Sequence, residues 1–260
     1  MKKITNRKYP PPRGSAILRT GLRLALLLAT LTAGMAFYPG IKELRLSGAP
    51  RAVRPVPHPA PRSLRMPAWY KTDPAATRRY RRALTLIGSA GPSLKDGDLV
   101  LRTGNDFTSQ VLRQFSFRDK TYSHGGIVHI ENGIPYVYHA LGGEDNPDAA
   151  LRRERFENFC DPVHNLGFGI YRYSLSGCEK HRLDSVVALF YRQKLPFDLQ
   201  FDLHTNNRMY CAEFIYKALR LATGDDGYLP LSHLPGFTYV AVDNLFLNPH
   251  ATEVCRVTYR

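Results

Sequence analysis

The sequence predicts an α+β domain in which a small, curled or closed antiparallel sheet packs against a helix that bears a cysteine near its start. Three observations lead there. Residues 123–130 and 134–140, SHGGIVHI and IPYVYHA, are strand-like runs joined by Glu131-Asn132-Gly133, and an Asn-Gly pair favours a tight hairpin. YCAEFIYKALRLATG places Cys211, Phe214, Ile215, Ala218, Leu219 and Ala222 at helical spacing before Gly224, the pattern of a half-buried helix with a glycine stop. Hydrophobic residues make up 43% of the 260-residue chain, enough to build a core.

The elements follow in chain order. Basic residues up to Arg23 precede the uncharged apolar run LALLLATLTAGMAFYPG from Leu24 to Gly40, which reads as a secretory signal peptide, with a cleavage site after Ala36, or as a short membrane anchor. Seven basic residues precede the run (Lys2, Lys3, Arg7, Lys8, Arg13, Arg19, Arg23) and four follow it closely (Lys42, Arg45, Arg51, Arg54). That bias predicts a cytoplasmic N-terminus and an exported domain, periplasmic or anchored in the inner membrane facing the periplasm. Residues 41–72 form a Pro/Arg-rich linker of extended character. The domain proper takes residues 73–260. TDPAATRRYRRALTLIG carries a Thr-Asp cap signal, a proline in the first turn and a closing Gly88, a helix signature. DGDLVLR is a short strand, FTSQVLRQFS a helix, FGIYRY a strand and EKHRLDSVVALFYRQK a helix. Thr205, Asn206 and Asn207 are the candidate caps of the cysteine helix.

Charge excludes one function class. The formal net charge is +14, but Met1 to Arg65 alone hold 13 Lys and Arg against the single acid Glu43. The folded part is therefore nearly neutral and lacks a phosphate-binding face, so no nucleic-acid partner is expected. Of the four cysteines, Cys160, Cys178, Cys211 and Cys255, an exported protein could pair Cys160 with Cys178. With Cys211 reserved as a reactive thiol, an odd number remains, and a disulfide framework is not expected.

The chemistry centres on one thiol and two imidazoles. A thiol in the first helical turn meets the positive end of the helix dipole and unpaired N–H groups, both of which favour thiolate. His124 begins the glycine-flanked strand, where something must approach the backbone closely. By alternation it shares a face with Tyr122 and Gly126, whereas His129 points to the other face, so a zinc pair on this strand is not expected. His139 lies on the partner strand within cross-strand reach of His124, and an imidazole can orient a base as a carboxylate does. Cys211, His124 and His139 thus form the expected catalytic triad. Tyr122 and Tyr210 are candidates to line a groove or to aid the oxyanion, and Glu144 and Asp145 are alternative orienters. Asp98 is expected to fix the turn before its strand and Glu213 to support the helix start. No cofactor or metal is required.

The segments LKDGDLVLRTG, TSQVL, YSHGGIV, YVYHA, PFDLQFDL and YCAEFIYKAL, in this order between Leu94 and Leu221, resemble the YiiX/YaeF-like permuted papain-fold amidases. These are relatives of the NlpC-type cell-wall peptidases and of the lecithin:retinol acyltransferase group. The resemblance implies a permuted papain-like fold with the histidine strand ahead of the cysteine helix. It also implies that Cys211 is the nucleophile, His124 the base and the residue at His139 its orienter, a place where the nearer relatives carry Glu and many of the wider superfamily carry His. The expected activity is hydrolysis of an amide in cell-envelope peptide through an acyl-enzyme. A lipid or acyl-protein esterase or acyltransferase on the same triad is an alternative, as is a membrane-tethered binding domain without turnover. Only the enzymatic readings require an acidic, accessible thiol.

Overall fold

Asp73 accepts a hydrogen bond from the Ala75 amide at 2.8 Å, so the first long helix opens at the expected cap, with Pro74 in its first turn. This helix, α1 (Pro74–Ala90), runs past Gly88 and buries Ala76, Tyr80, Ala83 and Ile87, a single stripe at helical spacing. The computed structural model describes residue 64 and residues 66–142 and 149–259. The chain divides into two units, Met1–Pro57 and His58–Arg260. The apolar run 24–40, most of the linker 41–72, and Glu144 and Asp145 lie outside the described residues. Among the described residues no helix is long and apolar enough to cross a membrane.

After α1 come β1 (Leu99–Gly104), α2 (Phe107–Leu112), β2 (His124–Glu131), β3 (Ile134–His139), β4 (Arg152–Arg155), the single turn α3 (Phe156–Phe159), β5 (Asn165–Tyr173) and α4 (Gly177–Arg192). The chain continues with α5 (Cys211–Thr223), the short pair β6 (Ser232–Leu234) and β7 (Phe237–Tyr239), α6 (Val242–Phe246) and β8 (Ala251–Thr258). Six strands form one antiparallel sheet in the order β4-β3-β2-β1-β5-β8. The α+β class therefore holds. Closure is not observed among the described residues, since β4 and β8 each have one partner strand.

The β2–β3 hairpin turns as its sequence predicts. Asn132 and Gly133 both take positive φ, 51° and 77°, which matches the right-handed twist of the flanking strands. The register runs from Glu131 opposite Ile134 to Ile127 opposite Tyr138.

Strand alternation sorts the core into two clusters. Leu99, Leu101, Ile127, Tyr136 and Tyr138 join residues of α4 and α5 in one cluster. Val100, Val128, Val137, Phe168 and Ile170 join Ile87, Phe156 and Phe159 in the other.

Helix α5 is more deeply enclosed than its half-apolar pattern predicts, for every residue from Cys211 to Leu219 is buried. Its polar positions make this possible by meeting one another. Glu213 Oε1 lies 2.7 Å from Lys217 Nζ, and the ammonium also donates to the Thr205 carbonyl and to Asn206 Oδ1. Residues 205 and 206 thus receive a buried cation instead of capping the helix. The cap position is Tyr210, whose amide donates to Glu213 Oε2 at 3.1 Å, as expected of Glu213 in a supporting role. Gly224 ends the helix in the left-handed region, with φ 75°.

Asp98 is buried in the turn before β1, where it accepts from the Lys95 amide and from Nε and NH2 of Arg172. It serves the fold, as expected. Removing it strands a guanidinium and an amide, a loss that the partial exposure of Arg172 moderates. Asp98→Ala is expected to lower unfolding stability by about 2 kcal/mol, read by urea denaturation.

Candidate active site

Hairpin geometry brings the two imidazoles together. His124 Nε2 lies 2.9 Å from His139 Nδ1, with both residues buried. Gly126 makes the approach possible, because a Cβ there would sit 2.5 Å from Val137 Cγ1 and 3.0 Å from the His139 Cβ. Gly125 serves the opposite face, where a Cβ would lie 2.7 Å from Leu101 Cδ2 and 3.2 Å from Ile215 Cδ1 of α5. The paired glycines thus admit neighbours on both faces, whereas the sequence alone suggested one exposed approach. Phe159 packs against both rings, at centroid distances of 5.6 Å and 5.1 Å.

Two charged residues that the sequence did not single out complete this cluster. Glu154 of β4 places Oε1 2.6 Å from His139 Nε2. Two bare lone pairs would repel at that distance, so a proton lies between them, although the ring N–H is turned too far from the oxygen to make a regular hydrogen bond. Arg102 of β1 sits opposite His124 in the register. Its NH1 donates to the Phe159 carbonyl at 3.0 Å, and its guanidinium lies over the Phe159 ring. Nothing in LRRERF reads as a strand, and the β1–β2 register is a tertiary fact, so neither residue had a local signal.

Burial holds His124 well below the usual imidazole range, and the positive charge of Arg102 adds to the effect. His139 is also lowered by burial, with Glu154 acting in the opposite direction. Both rings are therefore neutral at neutral pH, which is the form a general base requires.

Cys211 opens α5, as the sequence predicted, and its sulfur is approached by the backbone amides of Ala212 and Gly125. Gly125 directly follows the candidate base. The thiol is nonetheless not acidic, which corrects the sequence expectation. Burial pushes it up to about 11, outweighing the amide contacts and the charge of Arg102. By alternation His124 projects toward Phe159, while α5 covers the other face and meets the strand at Gly125. Among the described residues no hydrogen bond joins the His124 ring to Cys211, so of the expected triad the structure brings His124 and His139 together and leaves the thiol beside the Gly125 amide instead of the imidazole.

Two expected contributors are core residues. Tyr122 precedes β2, so strand alternation does not govern it. Its ring packs against Tyr171 and Phe246, and its hydroxyl lies 3.4 Å from that of Tyr171. Tyr210 is likewise buried, and its hydroxyl accepts from the Val240 amide at 2.8 Å. All four cysteines are free; Cys160 is buried and Cys178 exposed.

His129 does face away from His124. Its Nδ1 lies 3.1 Å from Asp96 Oδ1 and 3.3 Å from Asp184 Oδ1, and these three residues form the group able to hold a metal ion among the described residues. Asp184 raises the His129 pKa, chiefly through its contact with the ring, so an imidazole held between two carboxylates accounts for the same geometry as a clamp between α4 and the sheet.

No family model matches the chain, and no curated protein matches it. Among solved structures it is similar to the crystal structure of metalloprotein YiiX from Escherichia coli O157:H7. That likeness has 19% sequence identity and a TM-score of 0.53, and it covers 63% of this chain and 98% of that one. The fold is therefore shared with YiiX.

Proposed function

We propose that this domain is a cysteine-dependent hydrolase of permuted papain-like architecture that cleaves an amide in cell-envelope peptide. The observation that carries the reading is the buried His124–His139 pair at 2.9 Å, set on the strand whose next residue, Gly125, offers its amide to the thiol of Cys211. Thiol and base rest in their neutral forms, so the reaction begins with proton transfer as the nucleophile attacks. The step requires the His124 ring to swing from its packing on Phe159 to the thiol; His124 then takes the Cys211 proton while Sγ bonds to the substrate carbonyl carbon. The amide N–H groups at the start of α5 stabilise the oxyanion. The imidazolium then protonates the departing amine, leaving a thioester, and water attacks that thioester with His124 again as base. His139 orients His124 throughout.

The choice of an envelope peptide rests on the export that the N-terminal segment predicts. A lipid or acyl-protein ester would follow the same chemistry, and a binding domain, which needs no acidic thiol, is the reading that the absence of any product would favour. The test incubates the full chain with muropeptides and with lipid esters and identifies products by mass, with and without a chelator because the structural neighbour is described as a metalloprotein. The expected result is chelator-resistant release of a peptide amine. Release of a fatty acid would move the substrate to esters, and turnover abolished by chelation would replace this reading.

A further inference from the structure

A neutral imidazole carries one N–H, so in a chain of imidazoles the proton at one end fixes every other. His124 and His139 alone would be degenerate. His124 Nε2–H could donate to His139 Nδ1, or His139 Nδ1–H could donate to His124 Nε2, with one hydrogen bond either way. Only the first arrangement leaves His124 Nδ1 bare. The second places the proton on Nδ1 and disables that atom as a base.

Glu154 removes the degeneracy. It belongs to β4, where its pairing with Val137 directs it to the face that Val137 shares with His139. Burial raises its pKa, but the His139 contact and the charges of Arg102 and Arg152 outweigh that and keep it ionised. A carboxylate only accepts, so the proton between it and His139 sits on Nε2. His139 Nδ1 is then a lone pair and must accept from His124 Nε2–H. We infer that Glu154 is a positioning residue that sets the tautomers of both histidines and leaves His124 Nδ1 as the atom that receives the Cys211 proton. This rests on the proposed function for the final step only, since the tautomer order follows from the contacts themselves.

The test uses the full chain labelled with 15N-histidine, together with the rate at which iodoacetamide alkylates Cys211, followed by mass of its peptide across pH. In the wild type, His124 and His139 should both show protonated Nε2 and bare Nδ1. Glu154→Leu should mix the tautomers and slow alkylation at pH 7 by about tenfold. Glu154→Gln keeps an accepting oxygen but loses the charge that favours imidazolium, so its acidic limb should shift down by about one pH unit with the tautomers unchanged. Folded Glu154→Leu with wild-type tautomers would overturn the inference, and so would an unmoved limb in Glu154→Gln. If Glu154→Leu does not fold, the Gln variant decides. Alkylation that is insensitive to His124→Ala overturns the proposed function instead, because the tautomer readout does not depend on turnover.

Discussion

Cys211→Ser is expected to reduce turnover by at least about 10⁴-fold while the chain remains folded. Removing a nucleophile leaves only binding and the oxyanion donors, which sustain a small residue of catalysis. A hydroxyl is far less acidic than a thiol, and this site already pushes the thiol up to about 11, so serine has no route to activation. The replacement is smaller by little and sits at a helix start, so unfolding stability should change by about 1 kcal/mol or less. Steady-state rates on whichever of the muropeptides or lipid esters the enzyme turns over, with urea denaturation followed by circular dichroism, measure both quantities.

His124→Ala should cost about 10³-fold or more in kcat/KM, since the thiol would then lack an acceptor for its proton. The wild-type pH profile carries the complementary signature. Burial and Arg102 disfavour the imidazolium, so His124 stays neutral to lower pH than a free imidazole. The acidic limb of kcat/KM is therefore expected below pH 6.5, rates should hold across neutrality, and the limb should vanish in the His124→Ala residue of activity. A limb above pH 6.5 would mean that the titrating group is not this buried histidine.

Legibility in the sequence followed the range of the interactions concerned. The hairpin, Cys211 at the start of α5 and the Gly224 stop were readable because a dipeptide turn, a 3.6-residue period and a left-handed glycine are local signals. The His124–His139 meeting was readable for the same reason, since one turn fixes the register of both strands. Glu154 and Arg102 were not, because each reaches the imidazoles through strand pairing that no local pattern encodes. Tyr122 was misplaced because alternation was extended two residues beyond the true start of β2. The thiol's acidity was misjudged because the helix dipole is visible in the sequence, whereas the enclosure of α5 between α4 and the sheet is not.

The central claim is that Cys211 becomes covalently acylated, and mass spectrometry of acid-quenched enzyme reads it directly. His139→Ala is the suitable background, because a poorly oriented base slows both steps while leaving the nucleophile in place. During turnover the account predicts a chain heavier by the substrate's acyl group, with the increment on the Cys211 peptide and absent from Cys211→Ser. Product formation by a wild-type enzyme that is never acylated, or an acyl group on Cys178, Cys255 or any other residue, would contradict it.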